Sequence, residues 1–319
     1  MRHRVPILLT MLLAAPTLRA QVPTNGQWLI ERRGDHERAG LVHLTLRYGE
    51  HRFSENWTSD DVPLTQLVGL PAGAFSDSGG VVRFRVVRDA GTLVCEGWFS
   101  GGNGAGHFTY APNPEFVTAL ARRGIDAPTP TQQFRLTLAG VGLDLADELA
   151  RQGYDRPTID DLTRMATHGV GLEYVRALDG AGYRLKSPVQ LVRMRDHGVD
   201  AEFIASLDSL EYRRLSAEQL VRVRDHGVDG DYIREMRAAG YPTPDLEQLV
   251  ETRDHGVDAR YVSQIRAAGY DGLSLAELRR ARDHGVTAGF IRHATERGHG
   301  KLPLDELIRL RDRGFDDQR

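Results

Sequence analysis

The chain has 319 residues, 40% of them hydrophobic and 27% charged, with a formal net charge of −3. That balance excludes a wholly disordered chain and lacks the basic excess of a nucleic-acid binder. A single cysteine, Cys95, excludes an intramolecular disulfide; within an apolar strand pattern it reads as a small buried hydrophobe.

Residues 1–20 predict a secretory signal peptide. Arg2, His3 and Arg4 form the basic start, Val5 to Leu18 the apolar run, and Ala20 the small residue at the cut. Leu18 stands where a small residue is usual, so an uncleaved anchor is the alternative. The run is shorter than the ~20 residues a spanning helix needs, and no later segment has that length of apolar chain. No Cys follows it, which argues against a lipid anchor. Cleavage removes Arg2, Arg4 and Arg19 and leaves 38 basic against 44 acidic residues, a charge of −6. The expected location is the periplasm or the exterior, with no transmembrane segment after cleavage.

Residues 25–112 predict an antiparallel β domain. Leu41–Tyr48 and Val81–Val87 alternate with period two, and Thr92–Phe99 and His107–Tyr110 continue the pattern. Asp77-Ser-Gly-Gly80, Asp89-Ala-Gly91 and Gly101–Gly106 supply turns. A sandwich or open barrel of about five to seven strands is expected. Trp57 and Trp98 read as core aromatics.

Residues 113–319 repeat. The glycine of a His-Gly-Val-like segment falls at 140, 169, 198, 227, 256, 285 and 314, always 29 apart. A second glycine series at 124, 153, 182, 240, 269 and 298 keeps step, with Glu211 filling its one gap. Such a period predicts an α-solenoid of seven two-helix units, and the whole chain a two-domain α+β protein. Helix A opens on an N-cap column (Asn113, Asp200, Asp229, Asp258, Thr287; Gly142 and Gly171 in two units). An aromatic-or-Leu column (Phe116, Leu145, Tyr174, Phe203, Tyr232, Tyr261, Phe290) then starts its apolar face. Tyr154, Tyr183, Tyr241 and Tyr270, each just past the second glycine, read as the apolar contact of that cap. Helix B carries Leu162, Leu191, Leu220, Leu249, Leu278 and Leu307, with capping-box spacing at Ser187/Gln190, Ser216/Gln219 and Ser274/Glu277.

The most repeated feature is Arg-Asp-His-Gly at Arg195–Gly198, Arg224–Gly227, Arg253–Gly256 and Arg282–Gly285. One His per unit, roughly 10 Å from the next, does not bring ligands within the ~2 Å a metal requires, so no metal or other cofactor is expected. The structural reading makes His197, His226, His255 and His284, with Gly169, Gly198, Gly227, Gly256 and Gly285, helix C-terminal caps. Arg195, Asp196, Arg224, Asp225, Arg253, Asp254, Arg282 and Asp283 are then expected to bridge between units.

Three other motifs bear on chemistry. Asp77-Ser78-Gly79-Gly80 resembles the nucleophile segment of chymotrypsin-like proteases, but Val81 follows where that family has Pro, and too little chain precedes it. A hydrolase using Ser78 with His43 or His51 stays an alternative; a hairpin turn is the main reading. Gly101–Gly106 lacks the lysine and the helix of a phosphate-binding loop, and no His-Glu-x-x-His zinc motif occurs.

The repeat unit, clearest in Asp229–Tyr241 and Glu247–Gly256, resembles the C-terminal extracytoplasmic repeats of some antirepressor-type membrane metallopeptidases, relatives of the β-lactam sensors. The chain lacks that family's zinc motif and multi-spanning part, so the resemblance implies a shared sensing or interaction module and carries over no catalytic residue. The expected function is a non-enzymatic interaction module that binds a protein partner in the cell envelope through its repeat surface. An envelope ligand sensor, binding glycan or peptide at Trp57 or Trp98, is the other alternative.

Overall fold

The computed structural model describes residues 25–31, 40–51, 54–76, 79–242 and 244–315. The predicted signal peptide, Ser78 and the side chains of His51 and Trp57 lie outside what is described. Contacts divide the chain into two compact units, one ending at Ala121 and reclaiming Ala127–Leu138, the other formed by Arg122–Asp126 and Ala139 onward.

The first unit is built on a single antiparallel half-barrel sheet. Its strands are β1 (Asn25–Glu31), β2 (Leu41–His51), β3 (Ser54–Pro63), β4 (Leu67–Val68), β5 (Gly80–Arg88), β6 (Gly91–Ser100) and β7 (Asn103–Pro112), in the order β3-β2-β1-β7-β6-β5-β4. Alternation puts Trp28, Leu46, Val82, Phe84, Leu93, Cys95 and Phe108 on one buried face. Burial pushes the Cys95 thiol up to about 12, which keeps it protonated and unreactive.

Among the described residues no second sheet packs on this one, which fits the open-barrel expectation and not the sandwich. Helix α2 (Pro130–Ala139), which follows α1 (Pro114–Arg122), joins the buried face instead. Phe134 and Leu138 enter the sheet's core, and Tyr48 and Tyr110 meet the Phe134 ring edge-on at 5.4 and 5.0 Å. Gln133 Nε2 donates to the carbonyls of Ala90 and Asn113, both at 2.8 Å. Arg88 donates to the Thr137 carbonyl at 2.7 Å, satisfying an acceptor that a helix C-terminus leaves open. The 29-residue period starts at 113, yet residues 114–121 and 127–138 pack with the strands. Gln133 stands where every later unit has its helix-B leucine, and that polar side chain is what the sheet uses.

The second unit stacks short helices in register. They are α3 (Leu143–Gln152), α4 (Ile159–Thr167), α5 (Leu172–Gly180), α6 (Pro188–Asp196), α7 (Ala201–Ser209), α8 (Ala217–Asp225), α9 (Gly230–Ala238), α10 (Leu246–Asp254), α11 (Ala259–Ala267), α12 (Leu275–Asp283), α13 (Ala288–Ala294) and α14 (Leu304–Asp312). Helices two places apart pack together, α3 on α5 and α4 on α6 for example, so A stacks on A and B on B. Helices of seven to ten residues are marginal alone, and this stacking buries their leucines and β-branched residues. None is long and apolar enough to cross a membrane.

The caps follow the side chains. Asp200, Asp229, Asp258 and Thr287 each accept the amide three residues on, at 2.7–3.1 Å. Thr158/Asp161, Ser216/Gln219 and Ser274/Glu277 form capping boxes. The box expected at Ser187/Gln190 does not form. With Pro188 opening the helix, Ser187 Oγ accepts from the Val189 amide instead.

Candidate functional site

Helix B of each middle unit ends on the same device. His197 is the C-cap residue, and Gly198 follows with φ 68°. The Gly198 amide donates to the Arg195 carbonyl at 3.0 Å and the Val199 amide to Met194 at 2.9 Å, the paired bonds of a Schellman ending. Gly169, Gly227, Gly256 and Gly285 share the left-handed φ at 67–70°, after His168, His226, His255 and His284.

The bridges between units differ from the expected Arg–Asp pairs. Each Asp pairs with the His one unit earlier: Asp196 with His168, Asp225 with His197, Asp254 with His226, Asp283 with His255 and Asp312 with His284, at 2.5–2.8 Å. The Arg side chains take another route. Arg195, Arg224, Arg253, Arg282 and Arg311 lie over the rings of Tyr174, Phe203, Tyr232, Tyr261 and Phe290 at 4.7–5.2 Å. The same guanidinium groups cover the preceding unit's glycine, where a β-carbon would stand 3.3–3.5 Å from Nε. The long Arg stem reaches back across the turn to the ring, while the short Asp reaches only the neighbouring cap.

The tyrosines complete the lacing. Tyr174, Tyr232 and Tyr261 hydroxyls donate to the carbonyls of Val199, Val257 and Val286 in the next unit, at 2.7–2.9 Å. Burial raises all three hydroxyls, Tyr261 to about 12. The tyrosines after the second glycine do more than give apolar contact: Tyr241 and Tyr270 donate to Leu273 and Leu302 carbonyls at 2.5 and 2.6 Å, and Tyr154 accepts from the Leu185 amide.

One polar cluster had no sequence signal. Glu148, only 5% exposed, is bonded by Arg151, Gln152 and Arg176, which hold its carboxyl down at about 2. Nothing at that column distinguishes it until the fold brings Arg176 across from the next unit.

The array departs from its own rule in one loop. The second glycine series takes φ 69–102°, and in its gap Glu211 adopts φ 70°, with Arg214 at φ 57° three residues on. These are the two non-glycine residues with positive φ among those described. Each such conformation costs roughly 1–2 kcal/mol for a residue with a side chain. The loop is pinned by Tyr212, whose hydroxyl donates to the Pro244 carbonyl, and by Arg237, which donates to Leu210 at 2.6 Å and lies over the Tyr212 ring.

Beside this loop a groove of about 400 Å³ opens between α8 and α10. Tyr212, Val223, Leu246 and Val250 give it an apolar floor, and Gln219 and Asp245 stand at its side. An Arg222–Glu247 ion pair closes one edge. Arg213 and Arg214 are exposed in the loop itself.

Of the alternative hydrolase elements, Ser78 and the His51 side chain lie outside the described residues. His43 Nδ1 and Asp61 Oδ1 pair at 2.9 Å across β2 and β3. Trp98 also departs from expectation, being 54% exposed on the outer face and not in the core. No protein-family model matches the chain, and no curated protein matches it significantly.

Proposed function

We propose that the chain is an exported, non-enzymatic interaction module of the cell envelope whose repeat region binds an extended segment of a protein partner in the groove between α8 and α10. The observation that carries this reading is the strained loop at Glu211 and Arg214 beside an apolar groove. Strain of this kind persists where surrounding contacts or use maintain it. Elsewhere in the array the repeated side chains are already satisfied by a neighbouring unit, which leaves the irregular unit to select a partner.

An apolar side chain of the partner would sit on the half-buried Leu246, removing it from water, while Arg213 and Arg214 would meet acidic residues flanking that anchor. No bond is made or broken; recognition rests on burial and charge. The likeness of the repeat to those of antirepressor-type peptidases supports a sensing or scaffolding role.

A photo-cross-linking amino acid at Gln219, in cells of the native host, is expected to capture one discrete envelope protein. Capture should disappear in a Leu246→Asp background, and the same probe at Arg260, on α11, should capture nothing. Equal capture at Arg260, or capture indifferent to Leu246→Asp, would sink the proposal.

A further inference from the structure

The outer face of the sheet carries a second set of side chains that the fold does not use. Strand register places Val81, Trp98, Ala105 and Leu29 in one row across β5, β6, β7 and β1. Val81 is 79% and Trp98 54% exposed. The adjacent row runs Arg83, Glu96, His107, Gln27 and Arg47. A depression of about 440 Å³ lies where the rows meet, floored by Leu29, Ala105 and Gly106 and rimmed by Gln27, Arg47 and His107.

We infer that this face binds a carboxylate-bearing oligosaccharide, with one sugar ring stacked on Trp98 and the next lying over Ala105 in the depression. Three properties favour a sugar over a protein surface. The apolar strip is a single row, too narrow to bury a protein core but matched to the apolar face of a pyranose, which packs on an exposed indole. At Ala105 and Gly106 the floor is made of small residues, so a flat ring lies flush upon it there. The rim offers planar donors and acceptors, an amide, an imidazole and a guanidinium, that bind neighbouring hydroxyls in pairs.

Charge selects the acidic sugar. Glu96 is neutralised by Arg83 at 2.6 Å, and among the described residues Arg47, Arg85 and His107 have no ion-pair partner. A chain of net charge −3 therefore presents a cationic patch around its exposed tryptophan. The platform is also held rigid from beneath. Trp28 Nε1 donates to the carbonyls of Glu96 and His107 at 3.3 and 3.2 Å, tying together the two strands that carry Trp98 and His107. Gly97 and Gly106 leave room for that indole, since a β-carbon at either would fall 2.5–2.8 Å from it. A preorganised face loses little freedom on binding.

The test is calorimetric titration of the full chain with tetragalacturonate, an alginate tetramer and glycan strands released from bacterial cell wall. At least one is expected to bind, with affinity falling tenfold or more in both Trp98→Ala and Arg47→Gln and unchanged in Leu246→Asp. Trp98→Ala is a surface change, and an unshifted melting temperature shows that it folds. Methyl-esterified tetragalacturonate should bind more weakly than the free acid, and polyglutamate should not bind. Failure of all three saccharides, indifference to Trp98→Ala, or equal binding of polyglutamate would each overturn the assignment. Because Leu246 lies in the repeat region, this outcome is separable from the fate of the peptide groove.

Discussion

The repeat region and the sheet use their conspicuous side chains in opposite ways. In the repeats, the residues that catch the eye hold neighbouring units together: His bonds the next unit's Asp, Arg covers an aromatic ring and the preceding unit's glycine turn, and Tyr donates to a carbonyl. On the outer face of the sheet, the side chains of Trp98, Arg47 and His107 make no hydrogen bond or ion pair among the described residues. Recurrence in this sequence therefore marks structural demand, and the residues proposed for recognition are those outside the recurrence: Glu211 and Arg214 in the array, Trp98 on the sheet.

The sharpest way to break this comparison is to ask which side α2 serves. Phe134→Ala should cost about 3–5 kcal/mol, as for a fully buried aromatic, and the loss should fall on the sheet. Hydrogen exchange would show it as lost protection in β1, β2 and β7. Lost protection confined to α4 and α6 would instead assign α2 to the array.

The strained loop offers a gain. Glu211→Gly restores the column's glycine and should raise stability by about 1 kcal/mol in denaturant unfolding. If the groove reading is right, the same variant weakens partner capture at Gln219, since function and stability then compete. A neutral or destabilising change would mean that Glu211 is not strained.

Acid should distinguish the regions through Glu148. Its carboxyl is held at about 2 by Arg151, Gln152 and Arg176, and Asp147 and Asp179 are lowered by Arg123 and Arg184. Depressed carboxyls favour the folded state fully above their ordinary range near 4, and that contribution fades as pH falls toward 2. Melting temperature measured across that window should drop less steeply in Glu148→Gln than in the natural chain. Parallel curves would deny the cluster its role.

The smallest effect belongs to the sheet's outer face. Trp98→Ala should change stability by no more than about 0.5 kcal/mol, as surface substitutions do. A larger loss would return Trp98 to the structural side of the comparison.

Much of this was legible in the sequence because a 29-residue period repeats the same physical solution. Apolar columns, N-cap Asp and Ser, and left-handed glycines each recur often enough to be read. What was not legible depends on reach between elements. Asp and His lie next to each other in the chain, yet bond 28 residues apart, and no spacing rule distinguishes that from an Arg–Asp bridge. The period also concealed that α2 serves the sheet, although Gln133 in a leucine column was a visible departure. In the β region alternation predicts two faces but not which is covered. Trp98 therefore read as core until the sheet proved to have one packed layer and one open one. Edge strand β3, rich in Ser, Asn and Asp, carries too little apolar alternation to declare itself.

The most direct test of the central claim is thermal unfolding of the Arg224→Ala, Arg253→Ala double variant beside Trp98→Ala. Each Arg stacks on a buried ring and covers a glycine turn, a contact worth on the order of 1–2 kcal/mol. The double variant is expected to melt several degrees lower while Trp98→Ala melts like the natural chain. A double variant with unchanged melting temperature would contradict the claim that the repeated residues are structural.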